Sequence, residues 1–189
     1  LGPLFESTSH GYDTVDYYHV DRRLGANGDL ASLVRAFHER GIRVILDAVL
    51  NHTGRDFFAF RDIQRNGPAS VYRHWYRGID FSKKSPEGDN FGYEGWSGHY
   101  DLVKLDTSRP EVREHLLGAV SQWIRDYDID GLRLDAADVL APDFMDELSR
   151  HCAALKDDFW LMGEVVHGDY WNWAREGRLD SVTNYELYK

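Results

Sequence analysis

An apolar run that ends in an acid decides the fold of this chain: residues 131–138 read GLRLDAAD. The run closes on Asp135, and a second run at 159–162, FWLM, leads into Glu164. Short apolar runs bounded by turn residues are typical of strands that are buried in a parallel sheet. If the two runs are neighbouring parallel strands, their carboxyl ends lie side by side, and Asp135 and Glu164 face one cleft.

Two close carboxylates in different surroundings can serve as nucleophile and proton donor, as a retaining glycoside hydrolase requires. Taken alone, Asp135 is better interpreted as a structural acid that pairs with Arg133 or caps a helix. The function therefore depends on the pattern in the rest of the chain.

Strand and helix signals alternate along the sequence. Apolar residues at helical spacing between Asn27, a possible N-cap, and Gly41, a stop signal, predict a first helix. Further elements are predicted as a strand at 43–49, a helix from Pro110, a strand at 129–135, a helix at 142–155, a strand ending near Glu164, a short helix at 169–176 and a partial strand at 181–186. This order predicts a parallel α/β sheet with right-handed crossovers.

The alternation alone does not separate a (β/α) barrel from an open doubly wound sheet. No Gly-x-Gly-x-x-Gly motif follows a strand, which weakens a dinucleotide-binding alternative. With 189 residues the chain is shorter than the about 250 that a complete eight-stranded barrel takes.

Residues 53–108 interrupt the alternation, because they show no long amphipathic pattern. Eleven aromatic residues lie there: Phe57, Phe58, Phe60, Tyr72, Trp75, Tyr76, Phe81, Phe91, Tyr93, Trp96 and Tyr100. So long a connection is usually functional, and it should overhang the same edge of the sheet as the two acids. Some rings could stack on sugars, although most are expected to form the core of an inserted subdomain.

Composition narrows the function classes. The formal charge of −10 argues against a nucleic-acid partner, and no apolar run reaches the roughly 20 residues that cross a bilayer. A single cysteine, Cys152, excludes an intrachain disulfide and makes a cysteine-based zinc site implausible. The chain starts at Leu1, so an upstream signal peptide is not excluded; the location stays open, with the cytoplasm slightly favoured.

Four segments together resemble the conserved segments of the alpha-amylase family of glycoside hydrolases. They are HGYDTVDY at 10–17, DAVLNH at 47–52, GLRLD at 131–135 and GEV at 163–165, and VKLD at 103–106 resembles an additional family segment. The resemblance implies an incomplete (β/α)8 TIM-type barrel, about strands two to six, with a long inserted loop region after strand three. Its parts would be barrel at 1–52, the insertion at 53–108 and barrel at 109–189.

The resemblance also implies roles for the acids. Asp135 stands at the nucleophile and Glu164 at the general acid/base, while Arg133 stands where an arginine touches the nucleophile. A neighbouring guanidinium favours the ionised form of Asp135. Glu164 must be protonated at rest, which calls for a less polar surrounding and a raised pKa.

Five further positions match binding or supporting residues of the family. Tyr12 would stack beneath the sugar, His52 would bond to one of its hydroxyls, and Asp138 would line the next subsite. Asp47 would pair with Arg133 and order the site. Asn51 matches a calcium ligand of many members, although a purely structural role for Asn51 is expected at least as much as calcium binding. No cofactor is required.

The sequence also departs from the family. An aspartate preceded by histidine, the third catalytic carboxylate, has no counterpart before Lys189. Val166 stands where many members with this segment have a tryptophan, so a contact to the leaving sugar is not expected there. Val139 stands where classical members often have a histidine, which favours shorter or cyclic maltooligosaccharides over starch. The expected function is cleavage of α-glucosidic bonds, with a transglycosylase or a non-catalytic carbohydrate-binding or regulatory relative as alternatives. The isolated chain is expected to be inactive and to self-associate through exposed barrel edges.

Overall fold

A parallel sheet of four short strands forms the centre of the computed structural model, which describes residues 1–187. The strands are β3 (Ile45–Ala48), β7 (Gly131–Leu134), β8 (Trp160–Gly163) and β9 (Ser181–Val182), hydrogen-bonded in the order β3-β7-β8-β9. Leu46, Ala48, Leu132 and Leu134 are almost completely buried. The predicted parallel sheet is confirmed, with apolar strands because helices and loops cover its faces.

Three long helices pack around the sheet: α1 (Asn27–His38), α3 (Pro110–Tyr127) and α4 (Pro142–Leu155). The last two begin with a proline, whose missing N–H costs nothing at the first helical position. All three helices were predicted, and the bounds of α4 agree with the prediction.

Asn27 is the one wrong prediction in these helices. Ala26 occupies the N-cap position, and Asn27 is the first helical residue. The Asn27 side chain instead accepts a hydrogen bond from the backbone N–H of Val20 and donates one to the carbonyl of Tyr18. Its amide therefore ties the helix to the preceding strand.

The first residues extend the parallel sheet on its β3 edge. The amino group of Leu1 donates to the carbonyl of Ile45, and the N–H of Asp47 donates to the carbonyl of Leu1. This alternation is the hydrogen-bond pattern of neighbouring parallel strands. After it, β1 (Phe5–Ser7) and β2 (Thr14–Val20) pair in antiparallel fashion.

The inserted segment contains more regular structure than the sequence indicated. Helix α2 (Phe58–Asn66) follows β4 (His52–Gly54), and β5 (Gly95–Trp96) and β6 (His99–Lys104) complete an antiparallel sheet in the order β4-β6-β5. Six of its eleven aromatic rings are buried: Phe57, Phe60, Trp75, Tyr76, Phe91 and Tyr93. Most rings therefore form the core of the insertion, as expected.

The region after β8 contains less regular structure than predicted. Only a 3-10 turn, Tyr170–Asn172, forms within the predicted helix at 169–176, and the partial strand is limited to Ser181–Val182. The side chain of Asp169 accepts from the N–H of Trp171 and so favours a turn over a helix. Within residues 1–187, the helices are too short or too polar to cross a membrane.

Trp123 of α3 joins the N-terminal strands to the helical layer. It is fully buried, stacks on Phe5 with ring centroids 4.3 Å apart, and donates from Nε1 to the carbonyl of Tyr17 at 2.7 Å. It thus combines apolar burial with a satisfied polar group.

We expect Trp123→Ala to lower the free energy of unfolding by about 3–5 kcal/mol, because it leaves a cavity and an unpaired carbonyl. Trp171→Ala is the control, since Trp171 is 79% exposed and should change stability by no more than about 0.5 kcal/mol. Denaturant unfolding of both variants measures the difference. Equal losses would contradict this account of Trp123.

Candidate active site

The acids meet at the carboxyl ends of three neighbouring strands. Asp47 of β3 lies opposite Arg133 of β7, and the pairing of Leu134 with Gly163 places Asp135 and Glu164 just beyond β7 and β8. Backbone hydrogen bonds continue past the strands, from the N–H of Glu164 to the carbonyl of Leu134. The two acids therefore share one edge of the sheet, as predicted.

One guanidinium contacts three carboxylates at this edge. Nη1 of Arg133 lies 2.7 Å from Oδ1 of Asp47 and 3.1 Å from Oδ1 of Asp135, and Nη2 lies 2.8 Å from Oε2 of Glu164. The pairing of Asp47 with Arg133 is thus present, as expected. Because both Nη atoms belong to one planar group, the nearest oxygens of Asp135 and Glu164 lie within about 8 Å.

The protonation of Asp135 differs from the expectation. Burial raises its pKa to about 7, and the nearby carboxylates of Asp47 and Glu164 add to this rise. The attraction of Arg133 lowers the pKa but does not overcome burial, because one cation serves three acids. Arg133 thus favours the ionised form of Asp135, as expected, but burial outweighs this attraction and the pKa of Asp135 is raised.

Glu164 lies in a more polar surrounding than expected. Besides Arg133, it accepts a hydrogen bond at Oε1 from the hydroxyl of Tyr185 at 3.0 Å and one at Oε2 from the N–H of Ala136 at 3.3 Å. The less polar pocket predicted for Glu164 is not formed by the described residues.

Tyr185 and the N–H of Ala136 were missed by the sequence reasoning. Tyr185 follows β9, so the rule that found Asp135 and Glu164 at strand ends could also have found it. The N–H of Ala136 has no sequence signal, because it points at Glu164 only through a left-handed backbone with φ 47° and ψ 44°. This conformation costs a residue other than glycine roughly 1–2 kcal/mol.

Of the predicted binding residues, Tyr12 contacts one of the three carboxylates, and His52 lies buried beside Asn51. The hydroxyl of Tyr12 donates to Oδ2 of Asp47 at 3.2 Å. His52 is buried, and burial lowers its pKa to about 4, so its ring is neutral at pH 7. Nδ1 of His52 lies 3.2 Å from Nδ2 of Asn51. The backbone carbonyl of Tyr12 partly opposes this lowering of the His52 pKa. Nε2 of His52 makes no hydrogen bond of ordinary geometry with the described residues.

Asn51 and Asp138 line one cavity of about 430 Å³, together with Arg178. Arg178 is held by Asp146, with Nε 2.6 Å from Oδ1. In the described part of the chain, no three His, Cys, Asp or Glu side chains are arranged to hold a metal ion. The calcium role considered for Asn51 stays a prediction, and no step below involves a metal.

Comparison with known proteins agrees with this geometry. The family model described as "Alpha amylase, catalytic domain" matches residues 1–189. The chain belongs to the alpha-amylase family. A cyclomaltodextrinase of Geobacillus thermopakistaniensis (strain MAS1) is 40% identical over 99% of this chain and 32% of its own length. A maltogenic alpha-amylase of Bacillus acidopullulyticus is 38% identical over 98% of this chain and 31% of its own length.

A solved structure of a debranching enzyme from Nostoc punctiforme superposes on this alpha-amylase family chain with a TM-score of 0.89. Its sequence is 38% identical, and the match covers 97% of this chain and 38% of that one. The chain thus spans about a third of the length of the curated relatives it matches.

We expect Asp135→Asn to stabilise the protein above pH 7 and to leave its stability unchanged below pH 3.8. The pKa of Asp135 is raised from 3.8 to about 7 in the fold, so the protonated acid favours folding, and this contribution is lost as the pH rises through that range. The gain at high pH should be on the order of 2–4 kcal/mol.

Thermal unfolding of both proteins between about pH 3 and about pH 9 measures this difference, because this range includes both the ordinary and the raised pKa of Asp135. Asp157→Asn, at an exposed aspartate, is the matched control and should show no such trend. A stability difference that does not change with pH would contradict the raised pKa of Asp135.

Proposed function

We propose that the full-length protein cleaves α-glucosidic bonds in maltooligosaccharides or related α-glucans with retention of configuration. The observation that carries the proposal is the single guanidinium that holds Asp135 and Glu164 at one sheet edge. Their separation is within the roughly 10 Å that glycosidases with two carboxylates use. The names of the relatives, which include cyclomaltodextrinase, maltogenic alpha-amylase and debranching enzyme, support α-glucans as the substrate class.

In the proposed reaction, Glu164 donates its proton to the glycosidic oxygen while Asp135 attacks the anomeric carbon. The bond to the leaving sugar breaks, and a covalent glycosyl ester forms on Asp135. Glu164, now a carboxylate, takes a proton from water, and the water oxygen attacks the same carbon and frees Asp135. If a sugar hydroxyl replaces water, the same steps give transglycosylation.

The reaction requires the proton on Glu164 rather than on Asp135. Burial favours the neutral form of Asp135, whereas Glu164 forms an ion pair with Arg133 and accepts hydrogen bonds from Tyr185 and Ala136. Asp135 and Glu164 contact the same guanidinium, so a change in the contacts of one acid changes the electrostatic surrounding of the other. We infer that substrate binding, by changing the contacts of Glu164, places this proton where the first step needs it.

The fold supports a catalytic barrel. We propose that Leu1 ends the second strand of a (β/α)8 barrel and that β3, β7, β8 and β9 are its third to sixth strands. The segment at 53–108 would be the inserted subdomain between barrel parts at 1–52 and 109–189. The shared edge of the parallel strands, where barrel enzymes place their sites, carries the acids.

We expect Asp135→Asn in the full-length protein to reduce hydrolysis of a maltooligosaccharide by at least about 10⁴-fold, because the amide cannot form the glycosyl ester. Release of reducing sugar measures the loss. Asp157→Asn should retain wild-type turnover, since Asp157 is exposed after α4. Near-wild-type turnover by Asp135→Asn would refute its role as nucleophile.

We also expect the 189 residues alone to show no appreciable glycosidase activity. They span about a third of the matched relatives, and no His-Asp pair follows Glu164 in the sequence to serve as the third carboxylate. Incubation of the purified chain with a maltooligosaccharide, beside the full-length protein at equal concentration, tests this. Robust turnover by the short chain would overturn it.

A further inference from the structure

A hairpin of the inserted segment has a conformation that fixes one half-buried tryptophan. Strands β5 and β6 are joined by Ser97 and Gly98, both with positive φ, of 50° and 84°. Gly95 lets the strands approach closely, because a Cβ at this position would lie 2.3 Å from the carbonyl oxygen of His99. The sequence from 95 to 99, GWSGH, therefore holds Trp96 in a defined place.

Trp96 differs from the other large rings of the insertion. Six of those rings are buried, whereas Trp96 is half-buried and belongs neither to the hydrophobic core nor to the side chains packed against it. Among the described residues, its indole N–H makes no hydrogen bond. Packing of the insertion therefore does not explain this residue.

The contacts of Trp96 point to the carboxylate site. Its ring lies 5.8 Å from the ring of His52 and stacks on the ring of His99 at 5.9 Å, with 22° between the planes. His52 is the first residue of β4 and pairs with Lys104 of β6, so this histidine and the hairpin belong to one small sheet. Trp96 thus stands between the buried site and the surface.

The same hairpin also reaches the segment that carries Tyr12. Oδ2 of Asp101 lies 4.0 Å from Nε2 of His10, and the rings of His10 and Tyr12 are 6.1 Å apart. The hairpin that carries Trp96 thus contacts both the segment of Tyr12 and the strand of His52. Tyr12, His52 and Trp96 therefore line one edge of the site in turn.

We propose that Trp96 is a further substrate-contacting residue, whose indole extends the sugar-binding wall of Tyr12 and His52 and takes one glucosyl unit of an α-glucan. Aromatic faces stack on the apolar faces of sugar rings, and the unpaired indole N–H can donate to a hydroxyl. His99 is a positioning residue that backs the indole from outside. The proposal rests on the proposed function and adds to it a residue of the inserted segment.

The test uses the full-length protein in a Glu164→Gln background, which binds substrate without turning it over. Calorimetric titration with maltotriose gives Kd for this background and for Trp96→Phe, Trp96→Ala and His99→Ala added to it. We expect Trp96→Ala to weaken binding about tenfold, His99→Ala about twofold, and Trp96→Phe less than Trp96→Ala. Trp160→Ala is the matched control, because Trp160 is also partly exposed, at 45%, but starts β8 at the opposite end from Glu164.

The outcomes distinguish the proposed function from the role of Trp96. If the Glu164→Gln background binds no maltotriose, the proposed function fails and the role of Trp96 fails with it. If this background binds maltotriose, and the variants with Trp96→Ala and Trp96→Phe added bind it as tightly as the background does, the role of Trp96 is overturned and the proposed function stands. Should Trp96→Ala not fold, as judged by circular dichroism, Trp96→Phe and His99→Ala decide the question. Losses equal to that of Trp160→Ala would also overturn the proposal.

Discussion

The site depends on one cation that is shared by three acids. Arg133 contacts Asp47, Asp135 and Glu164, which lie in or just beyond three adjacent strands. Asp47 and Arg133 are 86 positions apart in the sequence. Without this guanidinium, three carboxylates would face one another in a largely buried place, where repulsion between like charges is strong. The register of the sheet therefore brings the four charges together, and the guanidinium offsets the repulsion among the three acids that this register creates.

This sharing has a cost for each acid. A cation that pairs with one carboxylate can hold that acid ionised, but Arg133 divides its attraction, and burial then determines the state of Asp135. In the proposed reaction Glu164 must be neutral and Asp135 charged in the first step, and only Glu164 changes its role in the second, because Asp135 is then an ester.

Local patterns predicted much of the fold and the positions of the acids. The bounds of α4 and the strand ends at Asp135 and Glu164 follow from apolar periodicity and turn residues close in sequence. The sheet of the insertion was not predicted, because it pairs His52 with Lys104 across fifty residues. The side chain of Asn27 and the pKa of Asp135 also escaped, since both depend on neighbours that only the folded chain brings close.

The left-handed backbone of Ala136 limits how this site can be transferred to other proteins. A designer who copied only the side chains of the acids and Arg133 onto another parallel sheet would lose the kink after Asp135 that aims an amide N–H at Glu164. The surrounding fold holds that kink against its intrinsic preference. A successful graft must therefore carry the bend in the main chain, together with the packing that enforces it.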